Sequence, residues 1–336
     1  MQFQENISLK PYNSFAIDAK ARYFSGFRNT ESLLEILGHL PVQNLMVLGG
    51  GTNILLTGDF DGMVLKNECS GIEKLAEDEN FVYVKCAAGE NWHQFVLHCL
   101  DNNWAGVENL SLIPGCVGAS PMQNIGAYGV ELKDVFHELT AFHIQEKGKY
   151  TFRLKDCEFG YRDSVFKKKY KDQFIILDVT LRLSKQPVFN TSYGAIEQEL
   201  ENLGVTQLTI QAISQAVINI RFSKLPDPKD IGNAGSFFKN PTVPKEYYWK
   251  LQKKYEHIPG YENADGTVKL AAGWLIEQCG WKGFREGDTG VHARQALVLV
   301  NYGNANGREI YNLSERIQQS VKEKFGVELE REVNIY

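Results

Sequence analysis

Three stretches of small residues carry the side chains that could do chemistry. The first is Leu48-Gly49-Gly50-Gly51-Thr52-Asn53. Consecutive glycines let backbone N–H groups converge into a nest for a pyrophosphate, and Thr52 and Asn53 add side-chain donors. The spacing is not that of a dinucleotide fingerprint, and no Lys-Ser/Thr pair follows to make a P-loop. A tight connection leaving a strand is the alternative use of the same residues. The second stretch runs from Ile113 to Gly129 and includes Pro114, Gly115, Ser120, Gln123, Asn124, Gly126 and Ala127. Bulky branched side chains are sparse there, so its backbone can lie against a flat ligand, with Gln123 and Asn124 able to reach a ring edge or phosphate. The third runs from Gly232 to Pro241, where small residues expose Ser236 and Phe237-Phe238 anchor the backbone beneath it. There is no Gly-x-Ser-x-Gly elbow and no histidine close in sequence, so Ser236 suits proton donation better than nucleophilic attack. A plain turn serine is the competing reading.

Regular elements must hold these stretches in place. Thr30 is placed to cap a helix with an apolar face of Leu33, Leu34 and Leu37, ended by Gly38. Residues 44–48 read as a short buried strand leading into the first glycine stretch. Phe81 to Cys86 reads as a strand, and Gly89-Glu90-Asn91 opens a helix with Trp92, Phe95, Val96, Cys99 and Leu100 on one face. Strict alternation of Ile175, Leu177, Val179, Leu181 and Leu183 predicts a long half-buried strand. A helix carries Ile213, Val217 and Ile220, and Leu225-Pro226-Asp227-Pro228 breaks the chain after it. A last helix presents Ile310, Leu313, Ile317 and Val321, closed by Gly326. The segment 327–335 then reads as a strand with Glu328, Glu330 and Glu332 on its polar face. Strands and helices are mixed without regular alternation, which predicts an α+β chain and disfavours a Rossmann dehydrogenase.

The bulk composition narrows the function classes. The chain has 336 residues, 43% hydrophobic and 23% charged, with a formal net charge of −5. That balance gives no general attraction to nucleic acid or anionic lipid. The basic cluster Lys167 to Lys169 with Lys171 reads as a solvated loop. No window approaches the roughly 20 apolar residues of a membrane helix, and Met1 to Phe15 lacks the pattern of a signal peptide. The six cysteines form no CxxC pair and read as free thiols in a reducing compartment. The seven histidines show no metal-ligand spacing, so no metal is expected.

In order along the chain, IPGCVGASPMQNIGAYGVEL, FGYRDSVFK, KLPDPK, GNAGSFFKNP, KLAAGWLIEQCG and ARQALVLVN resemble the UDP-N-acetylenolpyruvoylglucosamine reductase (UDP-N-acetylmuramate dehydrogenase) family. The resemblance extends from Lys10-Pro11-Tyr12-Asn13-Ser14-Phe15 to Glu332, and its specificity lies in the order of the motifs. It implies an FAD-binding fold of the vanillyl-alcohol-oxidase type, made of two α+β subdomains, with a C-terminal α+β substrate-binding domain. The expected divisions are 1–68, rejoined by 327–336, then 69–219, then 220–326.

The resemblance further implies non-covalent FAD and NADPH as the electron donor. The reaction would be reduction of the enolpyruvyl ether of UDP-N-acetylglucosamine enolpyruvate, in peptidoglycan precursor synthesis and so in cell-wall biogenesis, cell shape and division. Arg162 of the GYRDS motif would stabilise charge, Ser236 would donate the proton, and Glu332 would be the third catalytic residue. Without the resemblance, Arg162 reads as a structural ion-pair partner of Asp163 or a neighbour. Tyr193, Lys224, Asn240, Gln295 and Tyr161 would bind substrate. The glycine stretches, Gly49 to Asn53 and Pro114 to Ala127, would bind the cofactor, with Arg221 a further contact to cofactor or nucleotide. Tyr193 suggests the subclass that closes a tyrosine-bearing loop over the diphosphate, and the loop 48–53 departs from that subclass by carrying glycine and threonine where glutamate and serine are expected. Both changes keep the nest and the hydroxyl. The expected protein is a cytoplasmic monomer acting on small molecules, with no nucleic-acid or membrane partner. Two other readings stay open: a different FAD oxidase or dehydrogenase of the same superfamily, and a nucleotide-sugar binding protein without redox activity.

Overall fold

Alternating apolar residues produce the strand Phe174–Ser184, central in a five-stranded antiparallel sheet. In this computed structural model, which describes residues 3–336, the strand order is Lys149–Arg153, Phe136–His143, Phe174–Ser184, Phe81–Ala87, Ile72–Glu77. The central strand was expected to be half-buried, yet Ile175, Ile176, Leu177, Val179, Thr180, Leu181 and Leu183 are all buried. A bulge explains the difference. Thr140 pairs with Asp178 and Ala141 with Ile176, so Leu177 is the extra residue and the strand bends there. Ile175 and Leu177 join one hydrophobic cluster, while Ile176, Val179, Leu181 and Leu183 join another.

The chain divides into two compact units. The first holds residues up to Ile7, Ala21–Gly51 and Asp61–Ser223; the second holds Ser8–Lys20, Thr52–Phe60 and Lys224–Tyr336. In the first unit, helix α1 (Thr30–Gly38) is capped by Asn29 rather than Thr30, in a reciprocal capping box with Ser32. Its buried face is Leu33, Ile36 and Leu37, whereas Leu34 points outward. The expectation placed the start one residue late and so rotated the face. Helix α2 (Trp92–Asp101) is capped by Asn91 and buries all five predicted apolar residues. Helices α3 (Gly194–Asn202) and α4 (Ile210–Lys224) pack through Ile196, Leu200, Ile213, Val217 and Ile220. A second sheet orders Gln4–Ser8, Lys20–Phe27, Phe60–Asn67 and Leu45–Leu48, the last two parallel.

The second unit contains the sheet Gly232–Ser236, Val298–Asn301, Thr289–Val291, Arg285–Glu286 and a three-stranded sheet of Thr242–Pro244, Thr267–Leu270 and Gly260–Glu262. It also carries helices α5 (Lys245–Lys254), α6 (Ala272–Gln278) and α7 (Gly307–Phe325). Asn306 caps α7 and Gly326, at φ 66°, ends it as expected. The segment 327–335 is a strand only at Asn334–Ile335, which pairs in parallel with Ile54–Leu55. Val327, Leu329 and Val333 are nevertheless buried, so the alternation marked one buried side without a continuous ladder. The hydrogen bonds explain why. Lys239 N–H donates to Glu330 O and Glu332 N–H to Phe237 O, which makes one isolated antiparallel bridge, Phe238 with Arg331, and no longer ladder. Among the described residues, no helix is long and apolar enough to cross a membrane.

Asn301 fastens the second unit from inside. Buried at 3% exposure, it donates through Nδ2 to Phe15 O and accepts through Oδ1 from the N–H groups of Gly303 and Ala305. Asn301→Ala strands one acceptor and two donors away from water. It is expected to lower unfolding stability by about 2–4 kcal/mol, measured by urea denaturation followed by circular dichroism.

Candidate active site

In the first unit the two glycine stretches lie backbone against backbone. A Cβ on Gly50 would stand 2.8 Å from Gly115 Cα, and one on Gly49 would touch the Cys116 side chain at 3.6 Å. Gly51 adopts φ 63°, a left-handed turn that glycine enters without steric cost. Lys66 Nζ donates to Gly49 O at 2.6 Å and fixes the loop from the neighbouring strand. The second stretch is anchored to the start of α2: Trp92 N–H donates to Gly115 O, Val117 N–H to Glu90 O and Gly118 N–H to Ala88 O. Such a cradle of bare backbone admits a flat ligand where side chains would exclude one.

Several predicted side chains in this stretch serve the loop itself. Ser120 Oγ donates to Val117 O, and the hydroxyl is buried. Asn124, fully buried at φ 46°, donates to Glu131 Oε2 and Gly160 O and accepts from Lys133 N–H. Its amide is therefore spent on loop geometry, and what it can offer a ligand is backbone. Gln123 Oε1 accepts from Lys167 Nζ. Gly126–Ala127 pairs with Val130–Glu131 in a hairpin turning on Tyr128 and Gly129, both at positive φ.

Arg162 sits at φ 53° and donates from Nη2 to Gly126 O at 2.7 Å. The neighbouring Asp163 carboxylate pairs with Lys168. The Arg162 guanidinium also lies 5.4 Å from the Tyr161 ring centroid. Arg221, on α4, donates from Nε to Leu112 O. Burial first, and then the positive charge of Arg162, lower its affinity for its proton. Tyr193 is exposed and meets Tyr128 edge to face, with centroids 5.4 Å apart.

In the second unit, Ser236 ends a strand that bulges between Asn233 and Ser236. Gly235, at φ 69°, makes the bulge possible, and Asn233 Oδ1 accepts its N–H. Ser236 stays half-buried above the fully buried Phe237 and Phe238. Glu332 N–H donates to Phe237 O at 2.8 Å, placing its backbone beside that of Ser236. Asn53 holds the same segment, with Nδ2 reaching Glu332 O at 3.4 Å and its own carbonyl accepting from Asn334. The three glutamates differ. Glu328 pairs with Lys322 and Glu330 with Lys239, both at the surface, whereas Glu332 is half-buried. Asn240 Oδ1 accepts Ala272 N–H at the start of α6, and Gln295 Oε1 accepts Leu297 N–H. Lys224 is exposed at the end of α4, and Thr52 is half-buried.

Residues 27–149 match the family described as FAD binding domain. Residues 227–336 match UDP-N-acetylenolpyruvoylglucosamine reductase, C-terminal domain. The chain is 50% identical to the UDP-N-acetylenolpyruvoylglucosamine reductase of Flavobacterium johnsoniae over 336 residues, all of both chains. It is 52% identical to that of Amoebophilus asiaticus, covering 100% of this chain and 99% of the relative. This chain belongs to the UDP-N-acetylenolpyruvoylglucosamine reductase family. Its fold is similar to the crystal structure of the Thermus caldophilus reductase, at TM-score 0.69 and 22% identity over 100% and 99% of the two chains. The expected architecture holds in outline: mixed helices and strands, with an FAD binding domain followed by the reductase family's C-terminal domain.

Sequence reasoning missed Lys66 and His93, which hold a glycine-stretch backbone or its end. Neither lies in a small-residue motif of its own chemistry, and His93 is hidden within an ordinary amphipathic helix. The close approach of the two loops gives a direct test. Gly50→Ala must push Gly115 backbone aside and should lower stability by about 1–3 kcal/mol. Gly58→Ala, whose added Cβ meets nothing within 4 Å, should leave the melting temperature unchanged or slightly raised.

Proposed function

We propose that the chain is an NADPH-dependent, FAD-containing oxidoreductase that reduces UDP-N-acetylglucosamine enolpyruvate to UDP-N-acetylmuramate, a step of peptidoglycan precursor synthesis. The observation that carries this reading is identity of about half of all positions with named reductases over the whole chain. The packing of Gly50 on Gly115 brings two glycine-rich loops together, so that their backbone N–H groups could serve one cofactor. Gly49, Gly50, Gly51, Thr52, Asn53, Pro114, Gly115, Gly126 and Ala127 would hold it, with Ser120, Gln123 and Asn124 contributing mainly backbone. Arg221 would add a guanidinium N–H to cofactor or nucleotide. When bound, FAD would supply the hydride from its N5 that the enolpyruvyl CH2 carbon takes, with NADPH as the source of its electrons. Binding is non-covalent. Cys116 is the nucleophile of the flavin-facing loops, and burial raises its thiol above the ordinary range, which keeps it protonated at neutral pH.

The chain's own groups would do the rest. Hydride addition leaves negative charge on the carbon bearing the ether oxygen and carboxylate. The Arg162 guanidinium can hold that carboxylate with two parallel hydrogen bonds, which strengthen as charge accumulates. Ser236 Oγ–H then gives its proton to that carbon. Glu332 acts near the acceptor carbon. Tyr161, Tyr193, Lys224, Asn240 and Gln295 bind the nucleotide sugar, with 220–326 as the substrate-binding part and 1–68, 69–219 and 327–336 as the FAD-binding parts. The enzyme would work as a cytoplasmic monomer, in support of cell shape and division, with no nucleic-acid or membrane partner.

A single anaerobic experiment tests the function. The purified yellow protein is bleached with NADPH, the enolpyruvyl sugar nucleotide is added, and flavin absorbance should return. A bleached flavin that stays bleached would remove the proposed reaction, and a colourless protein would point to nucleotide-sugar binding instead. The roles separate in the two half-reactions. Ser236→Ala should slow reoxidation by about 10²–10⁴-fold while leaving reduction by NADPH nearly untouched. Equal slowing of both halves would make Ser236 structural. Glu332→Gln should resemble Ser236→Ala, and Glu328→Gln, in its surface pair with Lys322, should be close to silent.

A further inference from the structure

The glycine-rich stretch Ile113–Ala127 is bracketed by two bulky residues in the left-handed region, Leu112 at φ 58° and Tyr128 at φ 49°. Neither side chain favours that conformation, so surrounding contacts must impose it. Side chains of the first unit hold the backbone at both brackets. Leu112 N–H donates to His93 Nδ1 at 3.0 Å, and Leu112 O accepts from Arg221 Nε at 3.2 Å. Both polar groups of this one residue are therefore held by side chains. At the other bracket, Tyr128 O accepts from Asn109 Nδ2 at 3.0 Å.

We infer that His93 and Arg221 are positioning residues for the cofactor: through the two polar backbone groups of Leu112 they hold the leading end of the stretch Ile113–Ala127 in its flavin-receiving shape. The inference rests on the reading that this stretch lies against FAD. His93 can accept at Nδ1 only while that nitrogen carries no proton, so the ring must be neutral with its proton on Nε2. A second proton would turn the acceptor into a donor facing the Leu112 N–H and place a cation beside Arg221. Burial and the Arg221 charge already hold the ring below its ordinary value of 6.5. Arg221, from α4, is the charged group that acts on it; Leu112 presents only its N–H.

The direction with pH follows from that arrangement. The folded ring binds fewer protons than the unfolded one, so its contribution is complete above pH 6.5. It is lost as pH falls below 6.5 toward the depressed folded value. Cofactor retention should weaken over the same window.

The test uses the full chain stripped of FAD and titrated with FAD, with binding read by flavin fluorescence at pH 7.5 and pH 5.5. His93→Leu should weaken FAD binding about tenfold at pH 7.5, because an N–H loses its buried acceptor. His93→Asn, whose Oδ1 can stand near the Nδ1 position and does not titrate, should recover most of that loss. Wild type should lose affinity at pH 5.5 relative to pH 7.5, and His93→Asn should lose markedly less. If His93→Leu binds FAD within twofold of wild type, or His93→Asn follows the wild-type pH profile, the positioning role is overturned. Should His93→Leu fail to fold, the comparison of pH profiles between wild type and His93→Asn still decides. Wild type that takes up no FAD at either pH would overturn the cofactor reading, and the positioning role with it.

Discussion

The first unit is organised around the near-contact of two peptide backbones, Gly50 against Gly115. Steric repulsion is short-ranged and steep, so a single methyl on Gly50 would separate the loops. Everything else in this region supplies the forces that keep them together. Lys66 grips one loop through Gly49 O, and the first turn of α2 grips the other through Gly115 O. Glycine is costly in entropy, and that cost is offset only because tertiary hydrogen bonds replace the rigidity that side chains would otherwise give.

A second theme is where polar capacity is spent. Buried amides and hydroxyls in this unit are turned inward: Ser120 to Val117, Asn124 to Glu131, Gly160 and Lys133. Positive charge, by contrast, is concentrated. Arg162 lies near enough to Arg221 to disfavour its charge, and the hydrogen bonds given above run from both to backbone carbonyls. Burying a guanidinium such as that of Arg221 is costly, and the carbonyl it meets offsets only part of that cost.

Much of this was legible in the residues, and the limits have physical causes. Periodicity located α2, α4 and α7 because a buried helical stripe repeats every turn, and Gly326 marked an end because the left-handed closure favours glycine. The cap of α1 was misplaced because Asn29 and Thr30 are both good caps, and only the contact with Ser32 decides between them. The segment 327–335 showed strand-like alternation, yet alternation reports which side is buried and not whether a neighbour offers a continuous ladder. The three glycine stretches were visible as composition. That Asn124 serves the loop and that His93 reaches Leu112 are facts of through-space geometry, which local spacing does not encode.

The pairing of Asn334–Ile335 with Ile54–Leu55 has a consequence for how the protein is made. Thr57 bonds to Tyr336 O across 279 residues, and Asn53 bonds to Glu332 O across the same separation. A ribosome must therefore finish residues 332–336 before the chain around Asn53 and Ile54 can acquire its partners. Contacts of such long range are the slow ones in folding, since a large loop must close before they form. Until then the edge at Ile54–Leu55 stays unpaired, and the second unit of a nascent chain lacks the backbone that joins Glu332 to Phe237.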